Sequence, residues 1–440
     1  MINSWNLSSG AKLVVEEIPY LKSAAVGVYI KVGSRNESPT IAGASHFVEH
    51  MLFKGTEQRT AREIAESFEG MGGQLNAFTS KEYTGLYART LDEDIYQALE
   101  IVFDMLFNSK FNQKDFNTER GVVIEEINMY EDAPDDLIHD VFAQKFFAGH
   151  PLGFPILGNL DTITNMEREV LHNYYQTYYQ PANMVLAVAG NVDPNKIRDF
   201  IEKKCAERTG PPIESKLEIP QPGATFIDLV PKEVEQVQIC LGVPGISYHS
   251  EERFTQSVMN SILGGGMSSR LFQSLREERG LAYSVYSYPS SYKDSGLYTI
   301  YIGTSPAKVP EFFEAFYEQL LLLLDEGVSE AEIDRTQKLM KSSIYLGLES
   351  VMNRMTRLAK SLLMYDEIQT PEAVIEKVYA VKADMVNQYA ARTLKPEAFS
   401  LGAIGDKDVL PLVEKEYLKW WGSNLNSERK RTSVVPAGCK

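Results

Sequence analysis

The amino-acid sequence predicts an α+β fold built from two tandem homologous domains, each an antiparallel-rich sheet with helices packed on one face. Its 440 residues are enough for two or three domains that each bury a core. A similar order of strand, helix and Gly-rich turn signals recurs in both halves, and a stretch rich in proline and glycine separates them. We therefore expect an N-terminal domain over 1–208, a linker over 209–223, a C-terminal domain over 224–424 and a flexible tail over 425–440.

The repeated signals are clearest around two Gly-rich turns. In the first half a glycine pair precedes β-branched and aromatic residues on both sides of a polar break, which predicts a hairpin over 73–90. In the second half Gly280 precedes strand-like stretches over 283–288 and 296–303. Each half is therefore expected to contain a similar pair of strands.

Local signals also predict helices in the first half. Thr60 and Glu63 form a capping box, so one helix is expected to begin at the next residue after Thr60. Apolar residues at helical spacing predict a second helix within 91–107. A third is expected over 113–131, because Pro134 stops it.

Composition and charge exclude several classes of function. The 44 Lys and Arg residues against 60 Asp and Glu residues give a net charge of −16, which does not suit the binding of nucleic acid. No apolar run approaches the roughly 20 residues of a membrane-spanning helix, so no membrane partner is expected. Three widely separated cysteines favour neither a disulfide framework nor a thiolate zinc site. With no leader-like N-terminus, the sequence predicts a cytoplasmic protein.

Two of the chain's 6 histidines, His46 and His50, stand four residues apart with Glu49 between them. On a helix these three side chains share a face, so both imidazoles can reach one metal ion with a carboxylate beside it. This His-x-x-Glu-His pattern is one of the zinc peptidase motifs. Zinc would lower the pKa of a bound water to about 7, and a neighbouring carboxylate could accept its proton during attack on a peptide carbonyl.

A third ligand must come from elsewhere, and the acidic helix over 119–126 is the natural source. Glu119 and Glu126 share a helix face, because seven residues make about 700° of rotation, whereas Glu125 points about 100° away from Glu126. Spacing alone does not choose between the adjacent pair. A paired-histidine pattern without metal, or a solvated acidic helix face, is the commoner origin of each feature taken alone.

The string from 43 to 56, GASHFVEHMLFKGT, resembles the zinc-site signature of the pitrilysin family, the inverzincin peptidases that include insulin-degrading enzyme and the mitochondrial processing peptidase. The similarity extends over nearly the whole chain, and at this length it is closest to the two-domain, processing-peptidase-like subfamily. Further matching stretches are 72–77, 119–126, 179–184, 264–272, Arg276 and 280–284.

The resemblance implies a role for each matching residue of the first half. It makes the zinc ligands His46, His50 and Glu126, with one zinc ion per chain and Glu49 as the catalytic base. Glu119 matches an acidic residue that supports the metal site without ligating the ion. The family's extended substrates lie along the strand that carries Asn76 and Ala77, an arrangement that binds peptides with little side-chain selectivity.

The second half has no His-x-x-Glu-His motif and is expected to be metal-free. Arg276 and Tyr283 match a pair that, in the family, reaches the zinc site and contacts the substrate and the developing oxyanion. Without the resemblance, Arg276 would be interpreted as a surface helix residue and Tyr283 as part of a strand core.

The resemblance therefore implies a zinc metalloendopeptidase that hydrolyses unfolded peptides. A zinc-bound water activated by Glu49 would attack the peptide inside a chamber formed by a homodimer. The alternative from another class is a non-catalytic structural or partner-binding subunit of a larger complex. The complete set of motif residues argues against that alternative.

Overall fold

The computed structural model describes residues 1–421 apart from 209, 211–212, 214–216 and 222. The predicted tail over 425–440 lies outside these residues. The described residues of the predicted linker contain neither helix nor strand. The described strands are β1 (Ile2–Asn6), β2 (Lys12–Glu17), β3 (Ser23–Ile30), β4 (Gln74–Thr79), β5 (Thr84–Leu91), β6 (Met184–Gly190), β7 (Ile227–Pro231), β8 (Val237–Pro244), β9 (Ala282–Ser291), β10 (Gly296–Thr304) and β11 (Ser400–Gly405).

Helices account for much of the remaining chain. A π-helical turn over Phe272–Glu278 and several short 3₁₀ turns complete the described secondary structure. The α-helices are α1 (Ala44–Leu52), α2 (Ala61–Gly70), α3 (Ile95–Asn108), α4 (Gln113–Glu131), α5 (Pro134–Phe146), α6 (Leu160–Asn165), α7 (Arg168–Tyr178), α8 (Pro194–Ala206), α9 (Arg253–Leu263), α10 (Val309–Asp325), α11 (Glu330–Gly347), α12 (Val351–Tyr365), α13 (Pro371–Ala380), α14 (Ala383–Thr393) and α15 (Leu410–Trp421).

The local predictions for the first half are confirmed. The capping box of Thr60 and Glu63 begins α2, strands β4 and β5 form the expected hairpin, and α4 spans the predicted 113–131. These features depend on short-range signals: side-chain caps, alternation of apolar residues, and the steric effect of proline on the residue before it.

The two sheets repeat one topology. The first has the strand order β1-β2-β6-β3-β5-β4 and the second has the order β7-β11-β8-β10-β9. In each sheet one pair is parallel, β2 with β6 and β7 with β11, and the other neighbours are antiparallel. Apart from the additional β1, the orders correspond strand for strand. The predicted α+β fold of two similar, antiparallel-rich domains is confirmed.

One face of the first sheet packs against helices of the same half. Side chains from β2, β3, β5 and β6 form a continuous apolar core with α1, α2, α3, α4, α7 and α8. Alternate residues of the same strands point to the opposite face, because successive side chains of a strand alternate. The helix that carries the histidine motif is thus held directly on a sheet.

The opposite face of the first sheet is covered by α12, which comes from the second half of the sequence, so helices pack on both faces of this sheet and not only on the one face that was predicted. Met355 and Leu358 of α12 are fully buried against strand residues that include Ala25 and Ala187. A Cβ atom at Gly27 would lie 2.3 Å from the Met355 sulfur, so the glycine makes room for the helix. The small strand residues explain how a helix can pack this close.

The second sheet receives a helix from the first half in the same way. Phe142 of α5 lies over two glycines of the sheet, where a Cβ atom at Gly242 or Gly402 would approach its ring to 2.5 or 2.8 Å. The compact units consequently differ from a contiguous division of the chain. Unit 1 comprises Met1–Met129, Gly149–Glu218 and Ser342–Pro371, and unit 2 comprises Tyr130–Ala148, Ile219–Lys341 and the chain from Glu372 onward.

Candidate metal centre and active site

Helix α1 presents the histidine motif, and its N-terminus is fixed by a buried carboxylate. Glu37 accepts hydrogen bonds from the backbone N–H groups of Gly43 and Ser45, each at 2.7 Å. Gly43 has a φ of +94°, a left-handed conformation that favours glycine. Burial raises the pKa of Glu37 to about 7, although the hydrogen bonds to Ser45 and Gly43 oppose the shift.

The three nitrogen and oxygen donors expected to bind zinc converge at one point. The Nε2 atoms of His46 and His50 are 3.2 Å apart, and Glu126 Oε2 lies 3.6 Å from the first and 3.4 Å from the second. Zn–N distances of about 2.0–2.1 Å in a tetrahedral site correspond to donor separations of about 3.3–3.4 Å. The donor set and its spacing therefore fit a zinc ion, with a fourth position left for a further ligand.

The structure brings Glu126 to the histidines and leaves the adjacent Glu125 exposed outside the cluster. Glu119, one helical repeat earlier on α4, is only 3% exposed. The two acidic residues that share a face of α4 therefore both reach the histidines, while the third points to solvent.

Glu119 orients His50 from the side away from the cluster. The Nδ1–H group of His50 donates to Glu119 Oε1 at 2.8 Å, so the Nε2 lone pair faces the other donors. Burial lowers the pKa of His50, but the hydrogen bond and charge of Glu119 outweigh it and raise the pKa overall. Lys54 approaches Glu119 Oε2 to 2.5 Å. Burial raises the pKa of Glu119, but the hydrogen bonds of His50 and Lys54 outweigh burial and lower the pKa overall.

His46 has a different environment, because it lies deeper in the protein. Burial, together with the nearby imidazole of His50, lowers the pKa of His46 to about 3. Its side chain is therefore neutral at physiological pH and can offer a nitrogen lone pair. A neutral imidazole is the form that binds zinc.

Glu49 lies beside this cluster and is held by a hydroxyl group. Thr79 Oγ1 donates a hydrogen bond to Glu49 Oε2 at 2.6 Å. Burial raises the pKa of Glu49, partly offset by the hydrogen bond from Thr79. A carboxylate with a raised pKa is better suited to accept and return a proton near neutral pH.

Strand β4, which carries Asn76 and Ala77, is the edge strand of the first sheet next to α1. Its outer side has no strand partner among the described residues. The N–H group of Ala77 donates to the Asn76 side chain at 2.8 Å. Asn76 is exposed and Ala77 is buried, so the two residues predicted to contact the peptide differ in their exposure.

Arg276 and Tyr283 are brought together in the second unit. The guanidinium carbon of Arg276 lies 5.0 Å from the Tyr283 ring centroid and 4.6 Å from that of Phe272. Tyr283 is 80% exposed and borders a cavity of about 550 Å³. The interpretation of Tyr283 as a strand-core residue is therefore wrong, because the side chain of this second residue of β9 points to solvent.

Sequence reasoning missed Thr79 and Lys54. Thr79 lies two residues beyond Ala77, so strand alternation places both on one side of β4. Lys54 follows His50 by four residues and lies in the turn directly after α1. Both signals were available, but neither shows which distant carboxylate each side chain contacts.

Comparison with known proteins agrees with this fold and donor set. The family model described as insulinase (peptidase family M16) matches residues 12–160, and the one described as peptidase M16 inactive domain matches residues 165–340. The uncharacterized zinc protease YmxG of Bacillus subtilis (strain 168) is 42% identical over 93% of this chain and 100% of its own length. An uncharacterized zinc protease of Rickettsia bellii is 37% identical over 90% of this chain and 96% of its own. The chain belongs to peptidase family M16.

Solved structures share the complete two-domain fold. A peptidase M16 inactive domain from Pseudomonas fluorescens superposes with a TM-score of 0.87 at 19% identity, covering 92% of this chain and 98% of that one. A protease from Helicobacter pylori gives a TM-score of 0.85 at 23% identity, covering 92% and 99%. Within the described residues, no helix combines the length and apolar character needed to cross a bilayer.

Proposed function

We propose that the protein is a zinc metalloendopeptidase that hydrolyses unfolded peptides. The observation that carries this proposal is the convergence of His46, His50 and Glu126, whose donor atoms lie within 4.8 Å of one another. Glu49 stands beside the same cluster. The names of the relatives support zinc as the metal, and we propose one ion per chain because the structure contains a single such cluster among its described residues.

The chemistry is divided between the metal and the side chains. A zinc ion held by His46, His50 and Glu126 would lower the pKa of a bound water to about 7 and polarise the scissile carbonyl. Glu49 takes a proton from the attacking water and delivers it to the nitrogen of the departing amine. Glu119 fixes the tautomer of His50 through its Nδ1–H group.

The substrate is an extended peptide. Edge strand β4 can add one more strand, with Asn76 and Ala77 supplying backbone contacts beside the metal. Main-chain pairing of this kind requires an unfolded segment and is tolerant of sequence. Short flexible peptides are therefore the substrate class that we propose, and stably folded proteins should resist cleavage.

A homodimer completes the proposed site. We propose that Arg276 and Tyr283 of the partner subunit contact the substrate at the metal site, in a chamber formed by the two chains. A phenol and a guanidinium suit this role because negative charge develops on the carbonyl oxygen during attack. The exposure of Tyr283 and its contact with Arg276 support a role outside the core. The cytoplasmic location stays a prediction.

A peptide digest tests the activity. The purified protein should cleave a library of unstructured peptides, and a chelator should abolish the cleavage until zinc is restored. Glu49→Gln should retain zinc and lose about 10²- to 10⁴-fold in turnover. A zinc-loaded protein that cleaves no peptide in the library would instead support the non-catalytic, partner-binding alternative.

A further inference from the structure

Thr79 contacts Glu49, and no functional role has been assigned to Thr79 above. Its hydroxyl is 2.6 Å from Glu49 Oε2, and both side chains are partly buried. A hydroxyl that donates to a carboxylate at this distance forms a charge-assisted hydrogen bond, which is shorter and stronger than a neutral one. The bond joins the last residue of β4 to the metal-binding helix α1.

The strand determines where this hydroxyl points. Side chains alternate along β4, so Thr79 lies on the same side as Ala77, which belongs to the apolar core shared with α1. Phe78 points the other way and packs against Tyr29 at a ring distance of 6.0 Å. Backbone pairing of Thr79 with Thr84 fixes the register, and a β-branched side chain has few rotamers to choose from.

We propose that Thr79 is a positioning residue for Glu49, and that it also links the base to the peptide-binding strand. By engaging Oε2, the hydroxyl leaves Oε1 free and holds it in one orientation for proton transfer. A general base works only within hydrogen-bond reach of the proton it removes, and a displacement of about 1 Å can cost about 10²-fold in rate. This inference rests on the proposed role of Glu49 as the base.

The position on β4 has a second consequence. The same short strand would carry the extended peptide along its outer edge and the hydroxyl on its core-facing side. One strand therefore carries both the edge along which the peptide would lie and the hydroxyl that orients the Glu49 carboxylate of α1.

Three variants test the proposal. Thr79→Val removes the donor but keeps the size and β-branching, and Thr79→Ser keeps the donor. We expect Thr79→Val to lower kcat about 10- to 100-fold with KM changed by less than about twofold, and Thr79→Ser to stay within about threefold of the wild type. The matched control is Thr84→Val on the paired strand, where the lost hydroxyl bonds the Val32 carbonyl at 2.9 Å. This control should leave kcat within about twofold.

Measurements other than activity separate positioning from a structural role. Zinc stoichiometry and the melting temperature of Thr79→Val should match those of the wild type. Its crystal structure should show the Glu49 carboxylate rotated or disordered, with the His46, His50 and Glu126 side chains unmoved. Loss of zinc in Thr79→Val, or unchanged order of Glu49, would overturn the positioning role.

A double-mutant cycle distinguishes this inference from the proposed function. Thr79→Val should cause no further loss of activity in a Glu49→Gln background, because residues that act through one another are not additive. If Glu49→Gln retains full activity, the proposed mechanism fails. If Glu49→Gln is inactive while Thr79→Val is fully active, or if Thr79→Ser is as impaired as Thr79→Val, only the positioning role fails.

Discussion

Replacing Glu119 with glutamine should weaken zinc binding without removing a zinc ligand. The wild-type carboxylate accepts the His50 Nδ1–H at 2.8 Å, is paired with Lys54 at 2.5 Å, and is 3% exposed. Glutamine keeps an oxygen acceptor of similar shape but removes the charge. The substitution therefore tests the electrostatic contribution of Glu119 with little change in packing.

The magnitude follows from the two kinds of hydrogen bond. A bond to a charged group contributes about 1.5–3 kcal/mol and a neutral one about 0.5–1.5 kcal/mol, so the substitution should cost about 1–1.5 kcal/mol. At 1.36 kcal/mol per factor of ten, the zinc Kd should rise about 5- to 13-fold. The unpaired Lys54 ammonium adds to this loss, and removal of such supporting groups typically costs about 10- to 100-fold in affinity.

The assay is a competition titration with a chromogenic zinc chelator at fixed pH. Glu125→Gln is the matched control, because Glu125 lies on the same helix, carries the same charge and is exposed away from the donors. We expect the control to remain within about twofold of the wild type. A Glu119→Gln protein that binds zinc as tightly as wild type, or a Glu125→Gln protein weakened to the same extent, would refute the reasoning.

Three further predictions concern the proposed homodimer, the ion pair of Glu332 with Arg270, and helix α12. When the Glu49→Gln and Tyr283→Phe proteins are mixed and their subunits exchange at random, about one quarter of all active sites should recover activity. If mass measurement confirms the exchange and the mixture stays inactive, the active site is not shared between subunits. Burial raises the pKa of Glu332, but hydrogen bonds from Arg270 and Ser329 outweigh this effect. The pKa of Glu332 falls from the ordinary 4.5 to about 2. Denaturation should show that Glu332→Gln loses about 1–2 kcal/mol at pH 7, after allowance for solvent screening. This deficit should shrink only as the pH falls from about 4.5 towards 2, and a deficit independent of pH would contradict it. Leu358→Ala should cost about 2–5 kcal/mol in denaturant unfolding, since Leu358 is fully buried, and a loss below about 1 kcal/mol would contradict the packing of α12 on the first sheet.

The roles of the individual site residues, the homodimer and the number of zinc ions per chain are proposals. The family, the two-domain α+β fold and the relation to zinc proteases are established by the comparisons and the structure. The variants described above test these proposals one by one.

The sequence by itself determined what depends on neighbours along the chain. His46 and His50 face one way because residues four apart on a helix share a face, and the capping box of Thr60 and Glu63 begins a helix for equally local reasons. The repetition of strand and turn signals also sufficed for the prediction of two similar domains. These features require only helix and strand periodicity and the conformational preferences of single residues.

Tertiary structure decided every contact between elements distant in sequence. Helical spacing did not choose between Glu125 and Glu126, and the family resemblance alone favoured Glu126. In the folded chain, Glu126 Oε2 lies 3.6 Å from His46 Nε2 and 3.4 Å from His50 Nε2. The hydrogen bond of Thr79 to Glu49 depends on the register and position of β4. The covering of the first sheet by α12 was likewise not apparent, because an apolar helix face does not specify which sheet it will bury. Periodicity tells which side chains share a surface, whereas the partner of that surface is chosen by the shape and packing of the whole fold.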